Sequence, residues 1–124
     1  MATSPEIACR DFNRPDDRLD FKDHGWIDVV KMPDGTAAMH AVLKPGWSWA
    51  RDEKPLLGDP DTCPMAHTGY CIEGELVVMM VASGERRVIR RGDFFEIPAG
   101  HEAYVPGGET CELILMSPPD HAQA

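Results

Sequence analysis

The residues best suited to chemistry in this 124-residue chain lie between Arg91 and Tyr104. Gly92 and Gly100 bracket the apolar segment Phe94–Ile97, and Pro98 follows it directly. Glycine supplies turn conformations and proline ends regular pairing, so the spacing predicts a short strand followed by a rigid corner that presents His101 and Glu102 together. Tyr104 falls two residues beyond Glu102, on the same strand face, and offers a hydroxyl for proton transfer. A second group begins at His67, where strand alternation places His67 and Cys71 on one face. Trp47 and Trp49 flank Ser48 and in a strand share a face, as the aromatic wall of a pocket with indole N–H donors.

The elements that must position these groups are short and β-like. Segments predicted as strands are Trp26–Lys31, Thr36–Leu43, Trp47–Arg51, His67–Ile72 and Glu75–Ala82, then Arg87–Ile89, Phe94–Ile97, Ala103–Val105 and Cys111–Met116. Turn residues separate them at Pro33–Gly35, Pro45–Gly46, Glu73–Gly74, Ser83–Gly84, Arg91–Gly92 and Pro106–Gly108. No helical period is sustained. Many short strands at even spacing predict an all-β fold, an antiparallel sandwich or barrel. The polar stretch from Asp52 to Ala66 reads as a long loop that runs into His67, and long loops in small domains often carry function. Residues 1–23 read as an extended arm, residues 24–117 as the barrel domain and residues 118–124 as a tail.

Composition narrows the function. A net charge of −9, with the basic residues clustered only at Arg86–Arg87 and Arg90–Arg91, argues against nucleic acid and anionic membrane as partners. There is no apolar run long enough for a transmembrane helix and no signal-peptide pattern, so a cytoplasmic protein is expected. Four cysteines with no CxxC spacing predict free thiols rather than a disulfide framework. A free Cys71 or Cys111 in a strand is commonly a small core residue.

The spacing of Gly92, Pro98 and Gly100 resembles the second motif of the cupin superfamily, in which a metal-binding histidine follows. Counting forward reaches Ala103, so His101 or Glu102 is the group on offer. The first motif is degenerate. His67 to Gly74 matches its carboxylate-to-glycine spacing, and counting back puts Asp61 and Cys63 where the family has a histidine pair. Lys54-Pro55 and Pro98 to Tyr104 look like those of small single-domain bacterial cupins. The resemblance implies a jelly roll (a double-stranded β-helix) with a metal centre built from Cys63, His67 and His101, with Asp61 or Glu102 in reserve. Such donors suit zinc or iron, with manganese or nickel as further options. It implies a metal-dependent enzyme acting on a small organic molecule, with Glu102 or Tyr104 moving protons and Trp47, Trp49 and Cys71 lining the pocket. The alternative is a non-catalytic small-molecule binding or sensing protein. Sheet pairing in the family, with the arm as an exchange element, implies a homodimer.

Overall fold

Apolar alternation on the central strands produces the architecture. In β3 (Ala37–Leu43), Met39, Ala41 and Leu43 are buried, and in β9 (Cys111–Ser117) so are Cys111, Leu113, Leu115 and Ser117. The structure, a computed structural model, describes residues 6–118. Its other strands are β1 (Asp17–Asp20), β2 (Gly25–Lys31), β4 (His67–Glu73), β5 (Glu75–Met80), β6 (Arg86–Arg90), β7 (Phe94–Ile97) and β8 (His101–Tyr104). All pairings are antiparallel. One sheet runs β1-β2-β3-β9-β4-β7 and the other β6-β5-β8. Their inner faces enclose one core, which makes the fold an antiparallel jelly roll.

Gly74 alone carries the chain from β4 in the larger sheet to β5 in the smaller. Its φ is +78°, and a Cβ there would collide with the Thr110 carbonyl oxygen, so the crossing requires glycine. The segment anticipated as an arm contains β1, whose Arg18 pairs with the buried Asp28 of β2 through Nε–Oδ1 at 2.6 Å and Nη2–Oδ2 at 2.9 Å. Of the anticipated tail, residues 119–124 lie outside the described residues.

Two expectations are corrected between Trp47 and Ala66. Trp47–Arg51 is not a strand. Ser48 makes only an isolated bridge to Tyr104, after which Trp49–Glu53 winds into a π-helix and Lys54–Leu57 into a 3-10 turn. Local polar groups divert the backbone. The Arg51 N–H donates to Ser48 Oγ at 3.2 Å, the Ser48 N–H donates to Asp52 Oδ2 at 3.0 Å, and Asp52 Oδ1 is held by His24 Nδ1 at 2.9 Å. The stretch read as a loop from Asp52 therefore starts as helix.

Candidate metal centre

Three elements converge inside one end of the roll. His67 opens β4, His101 opens β8, and Cys63 reaches them from the connection before β4. Cys63 belongs to no strand, but its backbone is clamped to the β8 corner: its N–H donates to the His101 carbonyl at 2.9 Å, and the Gly100 N–H donates to its own carbonyl at 2.8 Å. Ligand-type atoms of Cys63, His67 and His101 all lie within 4.8 Å of one another. Cys63 Sγ stands 4.0 Å from His67 Nε2, and the two imidazole centroids are 5.5 Å apart.

The surroundings prepare both rings for coordination. His101 Nδ1 is 2.8 Å from the Pro98 carbonyl, which can only accept, so Nδ1 carries the proton and Nε2 keeps a free lone pair. His67 Nδ1 is engaged by Ser117 Oγ at 3.2 Å, leaving Nε2 toward the cluster. Burial, helped by the neighbouring His101, pushes the His67 pKa down to about 4, so the ring is neutral at physiological pH. His101 is also lowered by burial, against the opposing pull of its Pro98 bond. Burial drives the Cys63 thiol up to about 11; the backbone contact at Met65 opposes this, and the charge of Glu53 adds to it. A divalent cation is the group that would ionise such a thiol, since metal coordination removes the proton outright. Two neutral imidazoles and one thiol fit zinc and other borderline metals.

The cluster opens onto a cavity of about 50 Å³. Trp47, Trp49 and Glu53 line it with Cys63, His67 and His101, and apolar side chains of both sheets complete the wall. Trp47 and Trp49 are 4% and 2% exposed, and neither indole N–H has a hydrogen-bond partner. Glu53 was not singled out from the sequence. Burial alone raises its carboxyl to about 7. The spacing of Trp49 and Glu53, four apart and so one helical turn, was the available signal, and it is too short to register as a period.

Other expected site residues lie elsewhere. Asp61 is exposed, turned out by a bend at Asp61 and Thr62, and is not in the cluster. Glu102 and Tyr104 are not in the cavity, because His101 and Ala103 take the inward positions of β8. They line an outer depression, where Tyr104 Oη accepts from Arg86 Nη2 at 2.6 Å. Cys71 is fully buried yet does not reach the cavity; its thiol donates to the carbonyls of Glu73 at 3.4 Å and Gly74 at 3.6 Å. Trp47 and Trp49 do reach it, through the bridge and the helix rather than through a strand. A larger open groove lined by Glu73, Glu75, Arg90 and Arg91 holds no histidine or cysteine, and its arginines pair with its glutamates.

No protein-family model and no curated protein matches the chain. Solved structures do. KdgF from Halomonas sp. is 21% identical with a TM-score of 0.56, over 87% of this chain and 91% of that one. A Cupin 2 conserved barrel domain protein from Salinispora arenicola is 16% identical with a TM-score of 0.59, over 98% and 93%. The fold is that of the cupins. Procruciferin, an 11S globulin from Brassica napus, is 16% identical with a TM-score of 0.63 over 88% of this chain but 30% of its own, so the cupin fold is common to proteins with very different names. At these identities the likeness is one of fold, and function has to be argued from the site.

Proposed function

We propose that the chain is a metal-dependent cupin enzyme that acts on a small organic molecule beside a divalent ion held by Cys63, His67 and His101. The observation that carries this is the convergence of three ligand atoms within 4.8 Å, with both imidazoles neutral and their Nδ1 atoms already engaged. Zinc fits the donor set best and ferrous iron next, with manganese and nickel behind them. When bound, the metal supplies Lewis-acid polarisation or an activated water. The protein's own contribution is a largely apolar chamber and Glu53, whose carboxyl at about 7 suits a group that gives and takes a proton near neutrality. Glu53 takes the proton-transfer role that the sequence alone suggested for Glu102 or Tyr104.

Metal analysis of the untagged protein tests the centre. Near-stoichiometric metal that His67→Ala and His101→Ala both lose supports it; metal-free protein after growth and purification in metal-supplemented medium refutes it. A non-catalytic binding protein is the second reading, favoured by the unpartnered indole N–H groups of Trp47 and Trp49. Ligand binding to the metal-free chain, followed by tryptophan fluorescence, would select it.

We further place the protein in the cytoplasm as a homodimer. Among the described residues the cysteines are free, and no helix is long and apolar enough to cross a membrane. Tyr70, Phe94 and Met116 lie exposed on the outer face of the six-stranded sheet, an apolar surface suited to a second copy. A monomer mass by light scattering at micromolar concentration would overturn the dimer.

A further inference from the structure

We propose that the cavity admits small uncharged molecules and turns away anions, and that Glu53 sets this rule. The inference deepens the metal-centre reading and rests on it. Among the described residues no lysine or arginine lines the cavity, and beyond Cys63, His67 and His101 the one ionisable side chain lining it is Glu53. Burial raises that carboxyl, and among the described residues its side chain takes part in no hydrogen bond or salt bridge. Its charge is therefore available to the chamber instead of being spent in an ion pair.

Charge counting gives the selection rule. A divalent ion with Cys63 as thiolate and both histidines neutral leaves one positive charge, which the Glu53 carboxylate cancels. An uncharged ligand keeps the chamber neutral. An anion leaves it with a net negative charge among apolar walls, with no basic side chain to take it up, and charges a few ångströms apart interact strongly there. Size narrows the class further. A water needs roughly 10–15 Å³, so a cavity of about 50 Å³ holds a ligand of only a few non-hydrogen atoms. The favoured ligand is short and neutral, or the short neutral end of a longer molecule, rather than a carboxylate or phosphate.

The test uses the full chain loaded with cobalt(II), whose visible absorption reports both thiolate coordination and any added ligand. Azide and cyanamide serve as probes, both linear with three non-hydrogen atoms, the first an anion and the second neutral. At pH 8, where the carboxylate is charged, Glu53→Gln is expected to bind azide about tenfold or more tighter than the wild type, with cyanamide affinity unchanged within about twofold. Glu53→Asp keeps the charge and should keep the wild-type azide affinity; Glu53→Ala replaces the glutamine variant if that fails to fold. Equal azide affinity in the charged and uncharged variants overturns the selection rule while leaving the metal centre intact. Failure of the wild type to take up cobalt overturns the metal centre, and the rule with it.

Discussion

Buried thiols lie near the two ends of β4 in opposite circumstances. At one end Cys63 faces two imidazoles and a cavity. At the other, four residues past His67 and about 13 Å along the strand, Cys71 lies against Cys111 with both fully buried. Burial raises the thiol pKa in each place, so a high pKa does not distinguish a ligand from a core residue. Neighbours do. Cys71 satisfies itself on the carbonyls of Glu73 and Gly74, whereas Cys63 has only a 4.0 Å approach to the Met65 carbonyl and stands within reach of two nitrogen lone pairs. A buried sulfur is a candidate ligand when what surrounds it is short of a cation.

The sharpest way to break this contrast is to exchange the fates of the two ends. Cys63→Ala and His101→Ala are expected to lower bound metal by tenfold or more, read by elemental analysis. Cys71→Ala and Cys111→Ala should retain metal and lose about 1–2 kcal/mol of stability in urea unfolding, as small cavities in a packed core do. Equal metal loss at both ends would erase the distinction.

Gly69 lies between the two ends. A Cβ there would meet the Ile114 carbonyl, Phe95 Cζ at 2.8 Å and Leu115 Cδ2 at 2.9 Å. Gly69→Ala should therefore cost roughly 2–3 kcal/mol, measured by denaturant unfolding, and should weaken metal binding by displacing His67.

Acid sharpens the comparison next. In the metal-free protein the folded His67 takes up its proton only near pH 4, while the unfolded chain does so at its ordinary 6.5. Stability is thus full above about 6.5 and falls as pH drops toward 4, by up to about 3 kcal/mol. His101 adds in the same direction. Glu53 opposes them, since its raised carboxyl loses stability as pH rises from 4.5 to about 7. Unfolding midpoints in the Glu53→Gln background should therefore rise more steeply with pH, and adding His67→Gln to that background should flatten the rise. The cysteine end contributes nothing over this range.

The smallest effects are expected on the outer surface. Asp61→Asn, Glu102→Gln and Tyr104→Phe should leave metal content unchanged and stability within about 0.5 kcal/mol. Metal loss in Asp61→Asn would mean that the connection before β4 closes further onto the site.

Much of the contrast is legible in the sequence. Glycine and proline fix the corner before His101, and alternation fixes which residues of β4 and β9 face the core, because both signals are local. Phe94–Ile97 needs nothing more. The choice between His101 and Glu102 was not local: it depends on which of them the register of β8 against β5 turns inward. The π-helix escaped because hydrogen bonds from Ser48 and Asp52 overrode a pattern that alternates like a strand, and Glu53 escaped with it. Cys71 met the alternation rule and still missed the cavity, since facing inward does not say how far along the barrel a side chain lies.

Strand order has a consequence for the growing polypeptide. β9 is inserted between β3 and β4, although it leaves the ribosome after both, and its Ser117 is the partner of His67 Nδ1. During synthesis Cys63, His67 and His101 all emerge before the strand that joins the two halves of the larger sheet. Until β9 has joined the sheet the three donors lack the strand that braces His67, so a metal held by them would find its finished site only after that strand is in place.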